Sequence, residues 1–460
     1  MARRILDSLT PGWQQIGAVW LPLPHVLNAL PVQVDAWYRS GASAVAISVL
    51  SMALACGSLA ALLYRTTGSI VAALTGAALM MSNPNTLYLQ STPMTEPLLF
   101  GLSLLAVVLT AAWLDEPRTP NPESRVPSPE PRVPTRASIV LALACLTRYE
   151  AWPITAATVI LGVAVLLRRG TPWPDAGRAG LELALWPLVA VVAFSMNSRW
   201  VIGSWFVPSD FFVAENVAAI GNPSESWRQI DEGLRRLSGS VLVYAGYAGA
   251  ALLAWEFARR RGQHTLVLLL ALGAAAALPM YAYMKGHPFR IRYDLPLVIA
   301  AASFVAGGIA SLHAWIRIPA AILVLIGAIL QAPPFDREAP LVRESQREAD
   351  AMAGRHAVTA YLREHYDGRT IMMSMGSLAH YMHDLSNAGF DITHFLHEGN
   401  GEIWRFAMLG PAGHAGWLIV EERAEGGDAL FVASKRTRWL SGFERVAEGG
   451  GAALYRATPR

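Results

Sequence analysis

Residues 147–170 read TRYEAWPITAATVILGVAVLLRRG, and their reading decides the fold. The run from Ile154 to Leu167 is apolar throughout and ends flush on Arg168 and Arg169. On its other side Arg148 and Glu150 interrupt an apolar region, because Ala137–Leu146 lies just before them. Charges among apolar helices are costly unless they pair, face a cavity or reach water. Adjacent arginines closing an apolar run mark the cytoplasmic edge of a membrane helix. The stretch therefore reads as a short apolar helix, a polar break and a membrane span.

Composition supports that reading. Of 460 residues, 53% are hydrophobic and 15% charged, and the mean hydropathy is +0.34. A soluble domain carries about 25% charged residues. The net charge of +3 says little about partners, and nearly all the basic residues are arginine, with Lys285 and Lys435 the only lysines. They are not interleaved with aromatics as in nucleic-acid binders, so no nucleic acid is expected. Cys56 and Cys145 lie inside apolar runs and read as small buried hydrophobes.

Working outward, further apolar runs occupy Ala42–Tyr64, Ile70–Met81 (extendable towards Leu89), Leu98–Leu114, Leu181–Trp200, Ser240–Phe257, Thr265–Tyr283, Leu295–His313 and Ile316–Gln331. A spanning helix needs roughly 20 apolar residues, so the chain reads as a polytopic α-helical membrane protein of about ten membrane segments, one of them short or broken. Arg168, Arg169 and Arg259–Arg261 sit at span ends, with Arg65 and Arg317 in turns on the same side, which is then cytoplasmic. The Pro-rich loop Leu114–Arg136 falls on that side and reads as an extended linker. From Ala339 the composition changes. RESQREADAMAGRHAVTAYLREHY (343–366) has helical spacing, while TIMMSM (370–375), WLIVEE (417–422) and FERVAEGGGAALYR (443–456) read as strands, the last turning at Gly449–Gly451.

The domains are thus an amphipathic loop at 1–41, a transmembrane domain at 42–335 and a small α/β domain at 339–460. Alternation of the spans makes the first and last extracytoplasmic, in the plasma (inner) membrane. Trp13, Trp20, Trp37 and Tyr38 suit the headgroup level. Asp7, Pro11 and Gly12 break up the opening residues, so they do not read as a signal peptide.

Polar residues gather at the external ends of spans. In NPNTLYLQSTPMTEPLLF (83–100), Glu96 reads either as a first-turn carboxylate favoured by the helix dipole or as one facing a cavity. In ACLTRYEAWP (144–153), Arg148 and Glu150 read either as a structural ion pair or as a guanidinium aimed at an anion. In MKGHPFRIRYDLPL (284–297), Lys285, His287, Arg290, Arg292, Tyr293 and Asp294 either hold a phosphate or form a basic girdle against lipid headgroups, with Asp294 pairing with a neighbouring arginine or capping the next helix. His380, His383, His394 and His397 lie close together without acids or cysteines to complete a metal site. No zinc spacing, phosphate-binding loop or serine-nucleophile motif is present.

In this order, TPGWQQIGAVWLPLPHVL (10–27), TPMTEPLLF (92–100), LTRYEAWP (146–153) and RIRYDLPL (290–297), followed by an external α/β tail, resemble the GT-C superfamily of membrane glycosyltransferases. These use polyprenyl-phosphate sugars and include protein O-mannosyltransferases and the bacterial aminoarabinose transferase. The resemblance covers residues 1–330. It implies transfer of a sugar from a lipid-linked donor to an extracytoplasmic acceptor, the sugar and acceptor being open. It implies that Arg148, Arg290, Arg292 and Tyr293 face the donor phosphate, that His25 lines the first-loop cavity, and that Glu96 or Asp7 supplies the carboxylate base. The cofactor is open, a divalent metal included. The family places its catalytic acid after a helix preceding this first loop, so such a helix is expected upstream of Met1. The alternative is a non-enzymatic membrane protein, either a transporter or an inactive polyprenyl-phosphate binder; transporters favour internal repeats and midplane sites, and neither shows here.

Overall fold

The computed structural model describes all residues except 18–19, 117–133, 204, 206–215, 260–264, 348, 376–380, 424–426 and 459–460. Most of the Pro-rich loop, and His380, therefore lie outside the described residues. The chain divides into two units. One comprises 44–199 and 213–343; the other comprises 1–43, 200–212 and 344–460.

The first unit is helical. Eight helices among the described residues are long and apolar enough to cross a membrane: α3 (Ala42–Thr67), α6 (Glu96–Asp115), α8 (Ala151–Arg168), α9 (Trp173–Ile202), α10 (Pro223–Arg259), the stretch Thr265–Met284 that ends in α11 (Ala277–Met284), the stretch Ile291–Ser311 that contains α12 (Leu295–Ser311), and α13 (Ala314–Gln331). Two shorter apolar helices are α4 (Ile70–Ser82) and α7 (Thr135–Cys145). Almost every residue of α12 is buried, so it is the central helix of this unit. Small residues let its neighbours close in: a Cβ on Gly246 would meet Ala301, and one on Gly308 would lie 2.9 Å from the Gly249 Cα. Where lipid replaces water, such close backbone packing does much of the work that burial does elsewhere.

Two expectations change. Ile70–Met81 does not extend to Leu89: α4 stops at Asn83, and Pro84 starts a separate helix α5 (Pro84–Gln90). Ser240–Phe257 is the second half of α10, which is broken at Gly239 (φ 77°). The two breaks are hydrogen-bonded to each other. The break at Gly239 strands the Leu237 carbonyl and the Val241 N–H. The Asn83 and Asn85 amides both donate to Leu237 O at 2.8 Å, and Val241 N–H donates to Gln331 Oε1 at 2.8 Å. Side chains from α5 and α13 thereby satisfy groups that cost several kcal/mol each if left bare in an apolar medium.

The second unit holds a five-stranded sheet in the order β2-β1-β3-β5-β4, with β1 (Ile371–Met373), β2 (Phe395–Leu396), β3 (Trp417–Glu421), β4 (Phe443–Gly449) and β5 (Ala452–Ala457). β1 pairs in parallel with β2 and β3, and the β4–β5 hairpin adds antiparallel through β5. The three stretches read as strands are strands; the two-residue β2 was not expected. Side chains alternate across the sheet. Ile371, Met373, Trp417 and Ile419 pack with Val358 and Leu362 of α15 (Ala349–His365), and Met372, Leu418 and Val420 pack with Trp404 and Leu430 on the other face. Burying each such side chain contributes about 1.5–3 kcal/mol. Residues 1–43 are built onto this unit: the Gln15 side chain donates to Gly399 O at 2.9 Å, and Asn400 donates to Thr10 Oγ1 at 3.0 Å.

Candidate functional site

Arg148 sits in the break between α7 and α8. The break is pinned locally, since Trp152 Nε1 donates to Cys145 O at 3.0 Å and Tyr149, Trp152 and Phe194 stack edge to face with centroids 5.2–6.4 Å apart. This leaves the guanidinium pointing at two carboxylates. Its Nη2 reaches Glu150 Oε1 at 2.7 Å and its Nε lies 3.2 Å from both Glu150 oxygens. Its Nη1 donates to Thr95 Oγ1 at 3.1 Å and lies 3.1 Å from Glu96 Oε1. The Glu96 and Glu150 side chains are 1% and 2% exposed, and that of Arg148 11%. Burial works against the Arg148 charge, but the Glu150 and Glu96 carboxylates outweigh it and raise the pKa.

Glu96 is the first residue of α6, followed by Pro97, as its first-turn reading has it, and its side chain is buried against Arg148. Thr95 caps no helical N–H; its hydroxyl serves Arg148 instead. Glu150 was read as a partner of Arg148, and it is the stronger one.

Of the third segment, Tyr293 lies within electrostatic reach of Arg148 and Glu150. It sits in the short turn Ile291–Asp294 that leads into α12, between Arg292 and Asp294. The His287 ring lies 5.5 Å from the Tyr293 ring, and Tyr283 Oη donates to Arg290 O at 3.2 Å, fixing the turn. Arg290 and Arg292 are half-buried and Lys285 is exposed, its ammonium 5.8 Å from the Tyr281 ring. Asp294 takes the N-cap position of α12, but its side chain makes no cap hydrogen bond and pairs with no arginine among the described residues. It is fully buried, neither carboxylate oxygen has a hydrogen-bond partner among the described residues, and its oxygens fill the space beside Gly233. Gly233 gave no signal in the sequence, since nothing in the spacing marks where two helices touch.

The remaining candidates belong to the other unit. Asp7 accepts from Arg3 Nε at 2.8 Å, and Arg3 also pairs with Asp35 at 2.7 Å. His25, on α1 (Leu23–Ala29), is half-buried, and burial pushes its imidazole down to about 3. Three of the clustered histidines are taken up by separate backbone groups: His397 by Gly399 N–H, His394 by Asp391 N–H and His383 by Arg39 O. Among the described residues, no three His, Cys, Asp or Glu side chains gather as metal ligands. In the Arg148 cluster both carboxylates already face a guanidinium, so its donor set does not fit a divalent cation.

No family model and no curated protein sequence matches the chain. Solved structures do. ArnT from Cupriavidus metallidurans bound to undecaprenyl phosphate superposes with a TM-score of 0.57 over 100% of this chain and 93% of that one, at 13% identity. The same protein in its apo state gives 0.55 over the same shares, at 11% identity. AglB, the archaeal oligosaccharyltransferase of Archaeoglobus fulgidus, gives 0.47 over 91% of this chain and 62% of that one, at 11% identity. The chain shares the fold of ArnT, and eight of its described helices are long and apolar enough to cross a membrane.

Proposed function

We propose that this chain transfers a sugar from a polyprenyl-phosphate donor to an extracytoplasmic acceptor. The observation that carries the reading is the convergence of Glu96, Arg148, Glu150 and Tyr293, beside Arg292, at one end of the helical unit, in a fold whose solved example binds undecaprenyl phosphate. The acceptor oxygen bonds to the anomeric carbon while the bond from that carbon to the phosphate oxygen breaks. The electron pair leaves on the phosphate and the acceptor hydroxyl proton passes to a carboxylate.

Charge divides the roles. The one guanidinium of Arg148 already faces the two carboxylates of Glu96 and Glu150, so its fork is engaged and Arg148 positions Glu96. The departing phosphate falls to Arg292, Arg290 and Lys285, whose charges stabilise the oxyanion as it forms. Glu96 is the base in this scheme, since Asp7 is committed to Arg3. The segments 1–41 and 339–460 then face the acceptor side, outside the cytoplasm. The site does not suit a transporter, since its polar groups cluster at span ends and not at the midplane.

The test is binding of radiolabelled undecaprenyl phosphate to the purified full chain. Charge-assisted hydrogen bonds contribute roughly 1.5–3 kcal/mol each, so Arg292→Gln should weaken binding about tenfold or more, and undecaprenol without its phosphate should not compete. Equal binding by Arg292→Gln, with undecaprenol competing fully, overturns the proposal.

A further inference from the structure

Two short helices, α17 (Glu402–Leu409) and α18 (Ala429–Ser434), cover one face of the sheet. Trp404 and Ala407 of α17 and Leu430 and Ala433 of α18 pack into the core beneath them. At 3.6 residues per turn, the positions of α17 turned away from Trp404 and Ala407 are Glu402, Arg405, Phe406 and Leu409. Water favours polar side chains there. Instead Phe406 is 58% and Leu409 77% exposed, with Ile403 at the edge of the same side 45% exposed. Val432, on α18, is exposed as well. Exposed apolar side chains are ordinary one at a time; three along eight residues mark a surface that something else covers.

The flanks say what covers it. Where α17 begins, Gly399 and Asn400 are hydrogen-bonded to Gln15 and Thr10 of the opening segment, and Leu9 and Trp13 beside those contacts are exposed too. Where α17 ends, Met408 O accepts from Trp439 Nε1 at 2.9 Å, so the chain leaving α18 returns to the last turn of α17 and sets Arg438 next to it. Lys435, Arg436 and Arg438 are exposed, and none of them is ion-paired among the described residues. The one acid in 402–409 and 429–441 is Glu402, which already faces Arg405 at 3.6 Å. The layer is therefore apolar along α17 and basic beside its end, the pattern of a helix that lies in a membrane interface.

We propose that this layer docks on an anionic lipid surface. Phe406 and Leu409 enter the boundary between headgroups and acyl chains, and Lys435, Arg436 and Arg438 face the phosphates. A protein partner would have to be both apolar and acidic, whereas an anionic bilayer supplies both properties, and a bilayer is the medium that the eight long apolar helices of this chain need. Docking does not depend on the donor reading.

The experiment uses the full chain, one copy per nanodisc, in phosphatidylcholine alone or mixed with an equal amount of phosphatidylglycerol. Cys56 is replaced by Ala, and Cys145 is buried. Phe406→Cys then carries a small fluorophore. Ala360→Cys carries the same fluorophore as a control, since Ala360 is an exposed residue of α15, on the opposite face of the sheet. In mixed discs a nitroxide on the lipid headgroup should quench the 406 label, and aqueous acrylamide should quench it severalfold less than the 360 label. A basic residue near an anionic surface shifts such an equilibrium about fivefold. Docking should therefore weaken in phosphatidylcholine alone, and Lys435→Gln, Arg436→Gln and Arg438→Gln together should remove the difference between the two lipids. Equal access of acrylamide to the 406 and 360 labels in mixed discs overturns the proposal. A 406 label shielded from both quenchers overturns it in favour of cover by protein. Equal nitroxide quenching in the two kinds of disc overturns the assignment to anionic lipid.

Discussion

Replacing Arg148 with methionine tests the buried charge cluster most directly. The substitution keeps the length of the stem and removes the guanidinium that lies 2.7 Å from Glu150 and 3.1 Å from Glu96. Breaking a buried ion pair by deleting one partner costs about 3–5 kcal/mol, because the other charge is left without a counterion. Here two carboxylates, both almost without solvent exposure, lose the same partner. The two losses share one site and are not additive, so the expected cost stays near that range. The companion variant removes all three charges: Arg148→Met, Glu96→Met and Glu150→Met together. Replacing a buried ion set by well-packed apolar groups of similar volume is often near neutral or stabilising, so the triple variant should melt close to the wild type while the single variant melts well below it. Thermal unfolding of the full chain in detergent, followed by intrinsic tryptophan fluorescence, reads both. The triple variant also separates the proposed roles: it should retain undecaprenyl phosphate binding through Arg292 and Arg290 yet lose sugar transfer, because Glu96 no longer accepts a proton. A single variant as stable as wild type, or a triple variant as unstable as the single, refutes the reasoning.

Gly239→Ala should destabilise the helical unit by about 1–3 kcal/mol, seen as a lower melting temperature, because the residue has φ 77° and its Cβ would lie 2.6 Å from Gln331. Gly233→Ala would place a methyl group on the Asp294 carboxylate and push the Ile291–Asp294 turn, so undecaprenyl phosphate binding should weaken. Burial holds His397 at about 3 against 6.5 in the unfolded chain, so the unfolded state takes up a proton first and stability falls as pH drops below 6.5, by up to about 1.4 kcal/mol per pH unit. Denaturant melts between pH 7 and 5 should show that slope, and His397→Gln should flatten it. A reporter active only in the cytoplasm, fused after Arg460, should be silent; a bright signal would invert the proposed topology.

The spans were legible because lipid imposes a length and an apolar composition that few other structures need, and the ten apolar segments and the four strands other than β2 follow from one-dimensional patterns. The breaks were not legible in the same way. Asn83 and Asn85 repair a helix 154 and 152 positions away, and Gln331 supplies an acceptor 90 positions away. Each of these side chains is an ordinary polar residue in sequence, and only the fold shows that the same kink needs all three. The two-residue β2 carries too little periodicity to register at all.

The candidate site was legible as a set of misplaced charges but not as a division of labour. Glu96, Arg148 and Arg292 stand out singly because each is ionisable beside an apolar helix, a placement that demands a reason. Which charge answers which is a three-dimensional fact. Resemblance alone assigns Arg148 to a phosphate, yet two buried carboxylates and a threonine hydroxyl already engage its fork. An anion brought to that guanidinium would first have to displace Glu150 from a two-point contact and would then face two uncompensated carboxylates. The acid beside the basic residues at 285–292, Asp294, is buried against Gly233. The same geometry that makes Arg148 a poor phosphate ligand sets it beside Glu96, whose carboxylate lies 3.1 Å from the guanidinium at the start of a helix whose dipole favours negative charge.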